Sequence, residues 1–235
     1  MSLGRDDGAL ILADGAVPSR EVLDAAWPGW ADGIRLVVAA DGGARHAAPL
    51  GLRVDRWVGD GDSIEPAALA ALAEAGVDIR RSPTDKDESD TELALLAAVE
   101  AGAGALTILG ALGGVRVDHA LSNVALLEHP ALNRRPTWLF DEHAVRISLI
   151  AAPDPTGRPV TRDAAGRIGD LVSLVPLGVG ALGVTTAGLR YPLAGEPLVL
   201  GRTRGVSNVR TGPVALITLE SGRLLVIETP ATVRP

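Results

Sequence analysis

The hydrophobic pattern changes period near residue 142. Before that point, short apolar runs alternate with longer amphipathic ones. Residues 9–13, 35–40, 106–109 and 137–140 read as strands, with a shorter one at 77–80. Residues 66–75, 89–101 and 118–127 read as helices, with apolar positions recurring at the helical period. Strand–helix alternation at this spacing predicts a mostly parallel sheet flanked by helices. After residue 142 the period drops to two: Val145, Ile147 and Leu149 alternate with Arg146, Ser148 and Ile150. Short apolar runs then recur between glycines at 171–175, 183–186, 198–200, 214–219 and 224–227. The last two flank Ser221-Gly222, which reads as the turn of a tight hairpin. The Pro-, Gly- and Arg-rich stretch 151–169 reads as a loop. The expectation is an α/β domain over residues 1–142 followed by an all-β, sandwich-like domain over 143–235.

Composition narrows the function. The net charge of −7 argues against a nucleic-acid partner, and a polyanionic ligand would need a local remedy such as a metal ion. With no cysteine, disulfides, thiolate metal sites and cysteine nucleophiles are excluded. Four scattered histidines without paired spacing make a zinc site a poor reading. No apolar run has the roughly 18 residues of a membrane helix. Asp6 and Asp7 precede the first apolar run, the reverse of a basic signal-peptide start. A cytoplasmic protein is the resulting expectation.

The chemistry collects at strand ends. Asp41 closes one apolar run and is followed by Gly42-Gly43, and Asp60 and Asp62 close another in "VGDGDS". A third cluster, "PTDKDESD", holds Asp85, Asp87 and Asp90 around Lys86, the only lysine in the chain. Ser89 and Glu92 form a capping box for the helix that follows. In an open α/β sheet, ligands bind beyond the carboxyl ends of the strands, so these three loops are candidates for one crevice. Hard carboxylate oxygens suit Mg²⁺. With Glu88 these loops hold seven acids, which cannot all be ligands, so some bond hydroxyls or ring nitrogens. The start of a calcium loop is rejected, because Ile64 falls where a third oxygen ligand belongs. A fourth segment, "GALGGVRVDHALSN", brings Gly113, Gly114, Arg116 and Asp118 to the start of a helix, a setting suited to phosphate. His119 reads as structural, bonded to a backbone carbonyl, and Asn123 as exposed. Trp27, Trp30, Trp57 and Trp138 are the few candidates for stacking on a heterocycle, and each reads first as packing.

There is no G-x-x-x-x-G-K-[ST], and Gly102-x-Gly104 precedes a strand instead of following one. The ordered motifs A-D-G-G-A, G-D-x-D-S, D-K-D-x-[ST]-D and a Gly-rich R-x-D-H…N resemble those of the thiamine pyrophosphokinase family, with "GLRYPLAG" at 188–195 and "GVSN" at 205–208 as support. The resemblance spans roughly residues 10 to 228. It implies a homodimer that transfers a pyrophosphoryl group from ATP to the hydroxyethyl oxygen of thiamine, giving thiamine diphosphate and AMP. It also implies that Asp41, Asp60, Asp62 and Asp90 hold magnesium and phosphate, and that Lys86 and Arg116 touch the triphosphate, with Asp118 in the same crevice. Ser207 and Asn208 would contact the thiamine pyrimidine from the partner subunit. Two positions depart from the pattern: Gly61 replaces an apolar or aromatic residue, and Val115 is an extra residue that displaces Arg116. The alternatives are the same transfer to a pterin-like alcohol, and a non-catalytic nucleotide or thiamine sensor.

Overall fold

The structure, a computed structural model, describes residues 7–233; Asp6 of the signal-peptide argument lies outside them. The chain divides into two compact units between Ala144 and Val145.

The first unit runs β1 (Gly8–Leu12), α1 (Arg20–Ala26), β2 (Ile34–Ala40), β3 (Arg56–Gly59), α2 (Pro66–Glu74), β4 (Asp78–Arg81), α3 (Asp90–Glu100), β5 (Ala105–Leu109), α4 (Val117–Ala125) and β6 (Thr137–Phe140). Its six strands are parallel, in the order β4-β3-β2-β1-β5-β6. A parallel sheet covered on both faces hides every strand position, which is why β5 is an unbroken apolar run with all five residues buried. α3 starts where Ser89 Oγ accepts the Glu92 N–H at 3.2 Å, satisfying a donor that no helical carbonyl can reach. α1, which sequence periodicity did not reveal, is capped in the same way by Ser19. One face of the sheet buries Leu10, Leu12, Val37, Trp57 and Leu109 against Leu23, Trp27 and Trp30. Trp27 meets Phe140 edge-to-face at 6.4 Å.

The chain order reverses across the sheet at β1: β2 lies on one side and β5 on the other. Such a switch point leaves a crevice at the carboxyl ends of the strands. The loops carrying Asp41, Asp60 and Lys86 follow β2, β3 and β4 on that edge.

The second unit runs β7 (Arg146–Ala152), β8 (Val160–Ala165), β9 (Leu171–Ala187), β10 (Glu196–Leu198), β11 (Asn208–Val209), β12 (Val214–Leu219) and β13 (Ser221–Thr229). The long β9 belongs to two sheets. Its first part pairs antiparallel with β13, which pairs with β7; its last part pairs with β12, which pairs with β8. The facing layers enclose Ile150, Val172, Leu174, Ile217, Leu219, Leu224 and Val226, as the alternation in β7 requires.

Three expectations need correction here. Stretch 151–169 is not all loop, because β8 pairs along its whole length with β12. It escaped notice because it pairs with β12 alone, with Thr161 and Asp163 facing water. Ser221-Gly222 is not a hairpin turn. β12 and β13 each pair with β9 and not with each other, so the chain passes between sheets there. Gly222 allows close packing: with φ 103°, a Cβ at that position would collide with the Gly180 carbonyl of β9. The run at 198–200 leaves the sheet after Leu198, and Val199 and Leu200 are exposed.

One end of the sandwich interior is charged. Glu228 Oε2 lies 2.7 Å from Arg146 Nη2, and Glu228 Oε1 lies 2.8 Å from Arg210 Nη2; all three residues are buried. Arg210 also donates to the Ala164 carbonyl. Asp170, equally buried, accepts the N–H groups of Arg167 and Ala231 at 2.7 and 2.8 Å. Among the described residues, no helix is long and apolar enough to cross a membrane.

Candidate active site

β2 runs directly into a tight 3-10 turn over Asp41–His46, and Asp41 takes a positive φ of 43° to enter it. The turn holds Asp41 almost fully buried. Trp57 Nε1 donates to the Asp41 carbonyl at 3.0 Å, and the Ser63 N–H donates to Asp41 Oδ2 at 3.1 Å. Asp41 Oδ1 is buried with no hydrogen-bond partner among the described residues. An unsatisfied buried carboxylate oxygen is costly, so this atom needs a ligand or a proton.

β3 ends at Gly59, and the next residues fold back on themselves. Asp60 Oδ1 accepts the Asp62 N–H at 3.0 Å, and Asp62 Oδ1 accepts the Ser63 hydroxyl at 2.8 Å. This turn brings Asp60 and Asp62 to Asp41: one carboxylate oxygen from each lies within 4.8 Å of the others. The crowding shows in their acidities. Burial, opposed by the Ser63 N–H and aided by Asp62 and Asp90, pushes the Asp41 carboxyl up to about 6. Asp60 moves the other way, held down by the Asp62 N–H and then by Lys86.

Lys86 is the local counter-charge. Its Nζ lies 3.3 Å from Asp60 Oδ2 and 3.2 Å from Asp90 Oδ1, with only 11% of the side chain exposed. Burial opposes the ammonium, but Asp90 and Asp60 outweigh it and raise the Lys86 pKa. Asp90, at the first turn of α3, is raised by burial against the pull of Lys86. Thus Asp90 reaches the cluster through the lysine and stands outside the three-oxygen group. Asp85 and Asp87 on either side of Lys86 are exposed.

The remaining predicted residues have more varied surroundings. Gly42 and Gly43 are buried, packed against Asp14 and the Leu12 carbonyl of β1. Gly113 packs on Ala16, and Gly114 is exposed. Arg116 closes on Asp118 two residues along, with Nε–Oδ1 at 2.9 Å and Nη2–Oδ2 at 2.5 Å, and both side chains are more than half exposed. Val115 beside it is fully exposed. His119 is exposed and not a buried structural group, whereas Asn123 is buried and donates to the Ala111 carbonyl at 2.8 Å, pinning the loop after β5. In the second unit, Ser207 is exposed at φ 60° and its N–H donates to Ser173 Oγ. The Asn208 amide clasps Tyr191, accepting its N–H at 2.9 Å and donating to its carbonyl at 2.6 Å.

Sequence reasoning missed four contributors. Asp14 follows β1 and ion-pairs with Arg45; its place after an apolar run was the same signal that marked Asp41. Ser63 orients two of the carboxylates from inside a motif already singled out. Trp57 fixes the Asp41 backbone from the core, and no local pattern announces that. Arg81 donates to the Asp60 carbonyl at 3.4 Å.

Two family models match successive parts of the chain. The catalytic domain of thiamin pyrophosphokinase matches residues 30–139, and the vitamin B1 binding domain of thiamin pyrophosphokinase matches residues 160–224. The chain belongs to the thiamin pyrophosphokinase family. Thiamine pyrophosphokinase of Bacillus subtilis is 26% identical over 199 residues, covering 85% of this chain and 89% of that one. Thiamine pyrophosphokinase 1 of Oryza sativa is 26% identical over 211 residues, 81% of this chain and 77% of the other. A crystal structure of thiamine pyrophosphokinase from Bacillus subtilis superposes with a TM-score of 0.77 at 24% identity, covering 95% of this chain and 99% of that chain. An α/β unit followed by a β-sandwich unit is therefore the family fold in this chain as well.

Proposed function

We propose that the protein is a thiamine diphosphokinase: it transfers the pyrophosphoryl group of ATP to the hydroxyethyl oxygen of thiamine, yielding thiamine diphosphate and AMP. The observation that carries this reading is the convergence of Asp41, Asp60 and Asp62 beside Lys86, in a chain matched along both units by thiamin pyrophosphokinase domains. The first unit supplies the nucleotide site and the second the thiamine site. ATP, thiamine and a second copy of the chain are the proposed partners, the assembly being a homodimer in the cytoplasm.

The donor set fits Mg²⁺: it is all oxygen and convergent, and one of its members, Asp41, has a buried oxygen without a hydrogen-bond partner among the described residues. Asp41, Asp60 and Asp62 would hold the ion, with Asp90 behind Lys86 as the fourth acid. When bound, Mg²⁺ supplies charge neutralisation to the phosphate chain in a cleft that would otherwise repel it.

The chain's own groups do the rest. In the transfer, the thiamine oxygen forms a bond to the β-phosphorus and the bond from that phosphorus to the α,β-bridging oxygen breaks, leaving AMP. Lys86 Nζ, already poised between Asp60 and Asp90, is a compact donor for a phosphate oxygen. The hydroxyl proton needs an acceptor. Burial raises the carboxyl of Asp90 while that of Asp60 is lowered, so Asp90 is the better base of these two. Rigid loops fix these groups before substrate arrives, and catalysis comes from positioning and charge.

Transfer to a pterin-like alcohol and a non-catalytic sensor role are not favoured, since both matched domains are those of thiamin pyrophosphokinase. The test is incubation with ATP, magnesium and a panel of alcohols including thiamine and a hydroxymethyl-pterin, followed by mass detection. Thiamine diphosphate and AMP in equal amounts are expected. A diphosphate of the pterin alone, or nucleotide binding without AMP, would overturn the reading.

A further inference from the structure

Two arginines follow one another at the end of β4, and their surroundings differ. Arg80 is neutralised by Asp78 at 3.1 Å and Glu100 at 2.5 Å. Arg81 projects to the other side of the strand, as successive strand residues must. Among the described residues its guanidinium makes no ion pair; its hydrogen bond is to the main-chain carbonyl of Asp60, at 3.4 Å. The carboxylate of the same Asp60 belongs to the three-oxygen cluster and touches Lys86 on its other side.

The position of this guanidinium depends on residue 61. Gly61 has φ 88°, a conformation side chains rarely adopt, and a Cβ there would lie 3.2 Å from Arg81 Nη1. A side chain at 61 would crowd the guanidinium where it now lies. A missing side chain in the middle of the G-D-x-D-S turn and an unneutralised arginine over that turn are therefore one arrangement.

We propose that Arg81 is a nucleotide-binding residue, supplying with Lys86 a second positive charge across Asp60 for the phosphate chain, and that residue 61 is glycine so that this guanidinium can lie there. The inference rests on the proposed nucleotide site in the first unit. An arginine with most of its donors unused, at the rim of a crevice built for a polyanion, has the geometry to take phosphate oxygens in pairs.

The test is calorimetric titration of the full chain with the non-hydrolysable α,β-methylene ATP plus magnesium, comparing wild type, Arg81→Gln and Arg81→Lys. Arg81→Gln should weaken binding by about tenfold or more, the scale of a charge-assisted hydrogen bond. It should also flatten the salt dependence of binding, with an unchanged melting temperature. Arg81→Lys should recover part of the affinity, because the charge is restored without the two-point contact. Binding of Arg81→Gln within twofold of wild type would overturn the proposal. So would equal losses in both variants accompanied by a fall in melting temperature, which would mark a structural role. If the wild type binds the probe yet makes no thiamine diphosphate, the acceptor assignment fails, while Arg81 is still judged by the titration.

Discussion

Two gatherings of charge among the described residues, one in each unit, are built on opposite rules. In the second unit, Glu228 is flanked by Arg146 and Arg210, every carboxylate oxygen is met, and the group is sealed within the sandwich. In the first unit, Asp41, Asp60, Asp62 and Asp90 converge with one lysine among them, and a buried oxygen of Asp41 has no hydrogen-bond partner among the described residues. Both gatherings use the same chemical groups. The arginine–glutamate network meets both Glu228 oxygens and leaves only Arg210 Nε buried without a hydrogen-bond partner among the described residues, so its opposite charges face each other within the fold, whereas the acid cluster stays net negative until something else binds. Buried charge alone therefore does not mark a site; charge of one sign with an unmet atom does.

The comparison breaks most sharply at Glu228. Glu228→Ala leaves two guanidinium groups buried without their carboxylate, a loss of about 3–5 kcal/mol. At roughly 2–4 °C per kcal/mol for a chain of this size, the melting temperature should fall by about 6–20 °C. Turnover measured well below that temperature should stay close to wild type. A kinetic defect without destabilisation would place this network in a site after all.

Asp62→Asn should do the reverse. The side chain is exposed and its hydroxyl partner Ser63 can still donate to an amide oxygen, so the melting temperature should hold. Steady-state turnover with saturating magnesium should fall about 10²–10³-fold, as when one electrostatic element of a transition-state site is removed. Near-normal AMP release by this variant would end the argument that the strand-end acids are functional.

The incompleteness of the acid cluster has a pH signature. The Asp41 carboxyl sits at about 6 instead of its ordinary 3.8, so the folded chain keeps a proton that the unfolded chain has lost. Stability without divalent cations should therefore fall as pH rises through about 4 to 6, by at most about 3 kcal/mol for this group. Thermal melts across that range should show the slope in wild type and a flatter profile in Asp41→Asn. Magnesium at neutral pH should raise the melting temperature of wild type more than that of the variant. Identical pH profiles would mean that burial of Asp41 is already compensated within the fold.

These contrasts also explain what could be read from the sequence. The strand-end acids were legible because parallel strands are continuous apolar runs, so a carboxylate that closes one stands out, and the β1 switch point gathers those ends on one edge. The Ser89 cap was legible because it is local. The Arg146–Glu228–Arg210 network was not, because its members lie apart in the chain: the pairing of β7 with β13 sets Arg146 opposite Glu228, and Arg210 joins from just after β11. β9 read as two short runs because glycines with positive φ at 178, 180 and 183 interrupt it where it passes from one sheet to the other. The contribution of Trp57 to Asp41 was invisible for the same reason as the network: it is a contact made by the fold and not by neighbours in sequence.

The smallest effect tests a pair that resembles the sealed network in chemistry and the crevice in exposure. Arg116 and Asp118 face water, joined by a two-point bond over two residues. Such a pair is screened by salt, and its members are free to exchange partners. Arg116→Ala should leave the melting temperature unchanged. For phosphate contact, the guanidinium must first leave Asp118, whereas Lys86 is already inside the cluster. The KM for ATP should therefore rise only about threefold in Arg116→Ala, against about tenfold or more in Lys86→Ala, which removes a charge-assisted contact. An Arg116→Ala effect as large as that of Lys86→Ala would show that this loop closes on the nucleotide, and the acid cluster would then be completed partly by the glycine-rich loop after β5.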